Sequence, residues 1–233
     1  MSGYADVAQR VAEAAKRSGR SAEDVRIVGA AKAQDVDAVV EACREGLREV
    51  GHNYAQEARE KVPLVNERLR AAGEPPPRWH FIGALQANKA RSVIPWCTCV
   101  QSVDRASLAA ELNRRAAAAE RTLEVLIQVN LRGETSKGGT SPEQLGPLLD
   151  ARTSWPSLQV IGLMAIPAAD ERGEDARRSF AALRALRDRH ASAGAPLPHL
   201  SMGMSGDFET AIEEGATMVR IGTALFGPRR TSP

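Results

Sequence analysis

The chain of 233 residues predicts a single (β/α)8 barrel with an extra helix in front. Two observations carry that expectation. Eight short apolar runs recur along the chain, each followed by a stretch with helical spacing, and the runs are continuous rather than alternating. Such runs suit parallel strands covered on both faces. The composition does not change along the chain in the way a second domain would require, and α/β barrels commonly reach this length as one unit. Residues 1–233 are therefore read as one domain. A doubly wound open sheet is the alternative, because periodicity does not reveal closure. No Gly-x-Gly-x-x-Gly turn follows the first run, which counts against a dinucleotide-binding version.

The elements follow in order. Residues 4–18 carry Val7, Val11 and Ala14 at helical spacing, and Ser21 provides a capping signal after the turn at Gly19. Residues 25–32 form the first strand and end in Lys32. Residues 35–46 are helical, with Val36, Val39, Val40 and Cys43 on one side. A brief strand at 48–51 leads to Asn53, which opens a helix through about residue 70. Pro75, Pro76 and Pro77 stiffen a surface loop. Strand three is Trp79-His80-Phe81-Ile82-Gly83, and a short helix begins at 86–89. Residues 98–103 and 123–130 are strands four and five, separated by a helix over 104–120. A long polar loop, 132–139, precedes Ser141-Pro142, where proline sits just inside a helix start. Strand six is 158–166, and a helix runs from about 173 to 193. The last two strands, ending in Ser201 and Ile221, flank a helix over 207–214.

Composition bounds the function. Charged residues make up 26 % and the formal charge is +2, so no basic excess points to nucleic acid. Aromatic residues are only 4 % of the chain, too few for a base-stacking platform. No apolar run is long enough to span a bilayer and no signal-peptide core is present, so no membrane association and a cytoplasmic location are expected. The three cysteines, Cys43, Cys97 and Cys99, read as reduced structural thiols without a metal cluster.

The chemistry gathers at two turns near the C-terminus. Ser201-Met202-Gly203-Met204-Ser205-Gly206 and Gly222-Thr223 each lead from a strand into a helical start. Small residues let backbone N–H groups approach an anion, and hydroxyls add donors, so the pair suits a phosphate. Arg220 lies between them on the same strand face as Gly222. Barrel closure brings the last strand beside the first, placing Lys32 next to the phosphate turns. Desolvation at a strand end favours a neutral amine, which attacks an aldehyde to give a Schiff base. Phosphate cradle, lysine and an arginine able to meet a ring nitrogen together suggest pyridoxal 5′-phosphate (PLP).

Longer motifs sharpen this reading. Trp79-His80-Phe81-Ile82-Gly83 with Leu85-Gln86 and Asn88-Lys89, Gln128-Val129-Asn130, Ser136-Lys137, Gly162-Leu163-Met164, Leu200-Ser201-Met202-Gly203-Met204-Ser205, and Val219-Arg220-Ile221-Gly222-Thr223 with Phe226-Gly227 resemble the PLP homeostasis proteins, single-domain relatives of the alanine racemase barrel. The resemblance runs from about Ile27 to Arg229. It implies a covalent aldimine at Lys32, phosphate contacts from Ser201, Ser205, Gly222 and Thr223, and Arg220 facing the pyridine nitrogen. Asn53 and Met164 are expected to contact the cofactor; N-capping and core packing are their plain alternatives. The implied role is a non-catalytic carrier or buffer of PLP in vitamin B6 and amino-acid homeostasis, with apo PLP-dependent enzymes as recipients and a monomeric state.

An amino-acid racemase or lyase of the same fold is the alternative function, and a phosphate-ester barrel that never takes PLP is a third. Racemases of this fold add a tyrosine base from a second domain, for which a chain ending at Pro233 is expected to have no room. Tyr54 is the one tyrosine near the mouth, and packing is its expected role. Lys137 is a candidate second amine. The chain departs from the family pattern at Ala31-Lys32-Ala33, where hydroxyl residues usually flank the lysine, at Ala84 in place of a histidine, and at His52, where Glu is usual. His52 is expected either to alter charge near the pocket or to face solvent. His80 and His199 are expected to be satisfied core histidines.

Overall fold

A computed structural model of the chain describes residues 3–134, 138–168 and 170–227. Eight parallel strands close into a barrel in sequence order: β1 (Arg26–Ala30), β2 (Glu49–His52), β3 (Arg78–Phe81), β4 (Cys99–Val103), β5 (Leu123–Gln128), β6 (Leu158–Met164), β7 (His199–Ser201) and β8 (Met218–Ile221). Closure is made by β1 against β8, with Ile27 opposite Val219 and Val28 opposite Arg220. An open doubly wound sheet is thereby ruled out. The periodicity could not show this, because closure depends on pairing between the first and last strands.

The outer layer comprises α1 (Gly3–Arg17), α2 (Val36–Arg44), α3 (Ala55–Ala71), α4 (Ala90–Val93), α5 (Ala106–Ala118), α6 (Pro142–Asp150), α7 (Glu174–His190), α8 (Phe208–Glu213) and α9 (Thr223–Phe226). Helix α1 precedes the barrel and buries Val7, Val11, Ala14 and Ala15. Its Arg10 lies over the Phe208 ring at 4.6 Å and reaches Glu209 at 3.0 Å. Packing of the apolar face is the larger contribution, since half-exposed ion pairs add little. Several caps match the sequence signals. Ser21 caps a short 3-10 turn, Ala22–Asp24. The Asp35 carboxylate accepts from Ala38 N–H at 2.8 Å, and Ser141 caps α6 with Pro142 just inside it. The three cysteines are free and buried. Burial pushes the Cys43 thiol up to about 11 and that of Cys97 up to about 12, which suits inert packing residues.

One expectation about helix starts fails. The residue at the N-cap of α3 is Tyr54, with no side-chain hydrogen bond, and Asn53 lies one position earlier. Capping therefore does not account for Asn53. Its placement follows from Gly83: a Cβ there would stand 2.1 Å from the Asn53 carbonyl oxygen. Only glycine lets the ends of β2 and β3 meet so closely.

The barrel interior is half apolar and half polar. Val28, Cys99, Leu126, Ile161, Met164 and Met218 form its apolar part. Beside them runs a buried chain of hydrogen bonds from His80 to Arg220, with the Glu49 carboxylate against the His80 ring. Glu49 Oε2 and His80 Nε2 are 2.9 Å apart, and His80 Nδ1 is 2.9 Å from Gln101 Nε2. The amide nitrogen can only donate, so Nδ1 accepts and the ring proton sits on Nε2, facing Glu49. Gln101 Oε1 accepts from Ser201 Oγ at 2.6 Å, and Ser201 Oγ accepts from Arg220 Nη1 at 2.7 Å. From Arg220 to His80 each hydrogen bond runs in one direction, and at the far end His80 Nε2 and Glu49 Oε2 stand close together without a well-aligned hydrogen bond. Burial raises the Glu49 pKa, but the adjacent His80 ring and the charges of Arg26 and Arg78 outweigh it and hold the carboxyl below its usual range. His80 is thus a core residue, as expected, but only half satisfied: Gln101 meets Nδ1, while Nε2 lies close to Glu49 without a well-aligned hydrogen bond.

His52 departs from both readings made for it. The side chain is 1 % exposed and neither faces solvent nor enters the mouth. It stacks on Trp79 with ring centroids 5.5 Å apart and meets the edge of Trp96 at 6.1 Å. Neither ring nitrogen has a hydrogen-bond partner among the described residues. Alternation along β2 explains this: Glu49 and Gly51 point one way, Val50 and His52 the other.

Burial pulls His52 from 6.5 down to about 4, opposed weakly by Glu57 and assisted by Lys61. Its proton is then bound by the unfolded chain but not by the folded one between these values. Stability from this residue is complete above about 6.5 and is lost as pH falls towards 4, by about 3 kcal/mol. The His52→Phe variant is expected to show a shallower fall in unfolding free energy over that pH range, measured by urea titration at stepped pH; an unchanged slope would refute the assignment. His199, also pulled to about 4 by burial, supplies the remaining slope in both proteins. For the interior chain, Gln101→Leu strands His80 Nδ1 and the Ser201 hydroxyl. A loss of about 1–3 kcal/mol is expected, and a loss under ~0.5 kcal/mol, the scale of a neutral surface change, counts against the chain's structural weight.

Candidate functional site

At the C-terminal ends of β1, β2, β6, β7 and β8 lies a cavity of about 360 Å³. Lys32, Asn53, Ser205, Arg220, Gly222 and Thr223 all line it, with Ile82, Ile166 and Met204 as apolar walls. Barrel closure thus brings the first strand's lysine to the turns after β7 and β8. No carboxylate lines the cavity, while Lys32 and Arg220 both do. The electrostatic preference is for an anion.

The two small-residue turns are joined to each other. Ser205 Oγ accepts from the Ala224 N–H at 3.2 Å. Gly203 adopts φ +89°, a left-handed conformation that favours glycine, and its carbonyl accepts from Arg220 N–H at 3.0 Å. Asp207 Oδ1 accepts from Met204 N–H at 2.6 Å, tightening the same turn. Among the described residues, the backbone N–H groups of Ser205, Gly206, Gly222 and Thr223 have no hydrogen-bond acceptor. Open donors of this kind, flanked by hydroxyls, form a fitting cradle for phosphate oxygens.

Arg220 is 5 % exposed. Its guanidinium donates to Ser201 Oγ and, through Nη2, to the Ala165 carbonyl at 2.9 Å. Desolvation lowers its pKa to about 10, partly offset by Asp207, so it stays charged at neutral pH. Two residues expected in the site do not line the cavity. Ser201 lies wholly buried beneath it, between Gln101 and Arg220. Met164 is likewise fully buried, in the apolar part of the barrel interior. Both end strands whose last side chains point inward, a register that sequence position alone left open.

Lys32 stands two residues beyond β1, in a turn rather than on the strand itself. The next residue, Ala33, has φ 60°, unusual for a side chain with a Cβ and a mark of local strain. That turn is fastened from α3. The Glu57 carboxylate accepts from Ala33 N–H at 3.0 Å and pairs with Lys61 at 2.8 Å, while Lys61 Nζ also donates to the Gln34 carbonyl. Sequence reading missed Glu57 and Lys61; their i, i+4 spacing on α3 was the available signal. The Lys32 ammonium lies over the Tyr54 ring, 5.2 Å from its centroid. Tyr54 is 54 % exposed, so the packing role expected of it does not hold. Lys137, the other candidate amine, lies outside the described residues.

Among the described residues no group of three or more His, Cys, Asp or Glu could hold a metal, and no helix is long and apolar enough to cross a membrane. Comparison with known proteins agrees with the architecture. A model of the alanine racemase N-terminal domain matches residues 4–230. The pyridoxal phosphate homeostasis protein of Aquifex aeolicus is 42 % identical over 225 residues, covering 96 % of each chain. That of Pseudomonas aeruginosa is 43 % identical, covering 97 % of this chain and 94 % of its own. The solved structure of PipY from Synechococcus elongatus with PLP bound superposes with a TM-score of 0.78 at 30 % identity, covering 95 % of this chain and all of PipY. With its barrel closed by β8 against β1 and its lysine, arginine and small-residue turns around one cavity, the chain belongs to the alanine racemase N-terminal-domain family and, within it, to the pyridoxal phosphate homeostasis proteins.

Proposed function

We propose that this protein binds PLP and acts as a non-catalytic carrier or buffer of it, taking part in vitamin B6 and amino-acid homeostasis. The observation that carries this reading is the cavity itself: two cations, open backbone donors and no carboxylate around a volume with apolar walls. The residues fit the cofactor part by part. Ser205, Gly222 and Thr223 with the adjacent N–H groups hold the phosphate, and Ile82, Ile166 and Met204 flank the ring. Arg220 faces the ring nitrogen, and Asn53 completes the rim. Lys32 would hold the aldehyde end, its amine being the group able to join the aldehyde covalently. PLP provides its reactive aldehyde and an electron-accepting ring when bound.

Arg220 sets the character of the site. A guanidinium cannot lose its proton in this range, so it donates to a ring nitrogen and leaves that nitrogen unprotonated. The interior chain reinforces this, because Ser201 and Gln101 offer Arg220 neutral partners and no proton to pass on. A neutral ring is a weak electron sink, which favours holding the cofactor over carbanion chemistry on it. Recipients are apo PLP-dependent enzymes in the cytoplasm, and the carrier acts as a monomer. The placement of Tyr54 against Lys32 is the one observation favouring a racemase or lyase, since it puts a phenol near the amine.

Visible spectroscopy separates these readings. Protein reconstituted with PLP is expected to show a band that is absent from Lys32→Ala, and to convert L-alanine to D-alanine no faster than free PLP does. Turnover above that background, lost in Tyr54→Phe, would instead establish the enzyme. A wild-type spectrum identical to that of Lys32→Ala would remove the covalent link.

A further inference from the structure

A second, larger cleft adjoins the cofactor cavity and has no part in the function proposed above. It encloses about 630 Å³ and shares Asn53 with the smaller cavity. Tyr54, whose ring carries the Lys32 ammonium on it, forms part of its wall. Three cations line it. Arg59 comes from α3 on one side. Lys89, from the short 3-10 turn Ala87–Lys89, and Arg91, from α4, come from the other.

The cleft contains no counter-charge. No Asp or Glu is among its lining residues, and no carboxylate of a described residue pairs with any of the three cations. The neighbouring acid, Glu57, is already held by Lys61 and the Ala33 N–H. Elsewhere on this surface arginines are routinely paired: Arg114 and Arg115 share Glu111, and Arg177 meets Glu213 and Glu214. Three unneutralised like charges around one hollow repel each other, and an anion placed between them relieves that. Phe81 and Leu85 give the cleft an apolar floor. Gln86 and Asn88 add amide donors at its rim. Its volume lies within the range of about 300–1,000 Å³ usual for small-molecule sites, and a hollow between two short segments suits a small molecule better than a protein face.

We propose that this cleft is a binding site for a small organic dicarboxylate. Its two acid groups pair with Arg59 on one wall and with Lys89 and Arg91 on the other, and its carbon chain rests on Phe81 and Leu85. Arginine pairs such carboxylates through two parallel N–H bonds, which gives orientation as well as charge. An occupant there sits beside the Lys32 cavity, next to the Asn53 and Tyr54 that line the cleft.

The test uses ligand-free protein, so its result is separate from whether Lys32 takes PLP. Isotope-labelled protein is titrated with glutarate, and in parallel with inorganic phosphate, while amide chemical shifts are followed. Glutarate is expected to shift amides of residues 54–59 and 86–92 to saturation. In the Arg59→Gln/Arg91→Gln double variant, whose changed side chains are exposed, its Kd is expected to rise at least ~10-fold. Phosphate is expected to act on residues 203–206 and 222–224, equally in both proteins. Glutarate shifts confined to those turns, shifts that never saturate, or an unaltered Kd in the double variant would each overturn the proposal. Saturation of the cleft amides by phosphate with glutarate silent would overturn the dicarboxylate assignment.

Discussion

A guanidinium buried at the top of a barrel without a carboxylate to meet it governs much of this structure. Removing a cation from water costs several kcal/mol unless its donors are satisfied. Arg220 is satisfied by a hydroxyl and a carbonyl, Ser201 Oγ and Ala165 O. The hydroxyl in turn needs an acceptor for its own proton, which is Gln101. Gln101 then needs an acceptor for its amide, which is His80, and His80 needs Glu49. Each residue is explained by the one above it. The carboxylate that balances Arg220 therefore stands at the opposite end of the barrel interior, four links away. Such a connected polar network favours one arrangement of its members over partial ones.

That separation of charge has a consequence for the mouth. Had Glu49 or any acid paired directly with Arg220, the cavity would be close to neutral. Instead Lys32 and Arg220 line it unopposed, and four backbone N–H groups have no acceptor among the described residues. A dianionic phosphate with an aldehyde and an unprotonated ring nitrogen complements every one of these features. The similarity to PipY with PLP bound is thus matched by physical reasons within this chain.

The barrel, its helix order and most of the cavity lining were legible in the sequence because they rest on local signals. Continuous apolar runs, helix-start residues such as Ser21 and Ser141, and two Ser/Gly/Thr turns each act within a few residues of where they are read. What was not legible depends on direction. Ser201 and Met164 were placed in the site by motif, yet both point into the barrel, and a one-residue difference in register decides that. His52 was assigned to the mouth or to solvent for the same reason, while its neighbours Trp79 and Trp96 come from other elements. Ala33 was read only as a missing hydroxyl; its left-handed backbone, which turns Lys32 off the end of β1, leaves no trace in an alanine.

The two ends of the cavity are built to different standards, and this bears on carriage. The phosphate end is made of turns locked together by Ser205, Gly203 and Asp207 over a fully buried support. The amine end is a strained turn outside the strand, fastened by one carboxylate and one lysine from α3 and covered by an exposed tyrosine. A phosphate ester held in these turns keeps its position independently of the Lys32 turn. Among the described residues no interior hydrogen bond involves Lys32, so the barrel interior does not depend on where its amine lies. An enzyme that must direct proton transfer at the same carbon needs the opposite arrangement, with its acid and base groups held rigidly about it. Firm support at the phosphate end and a single fastened turn at the amine end accord with the carriage proposed for this protein.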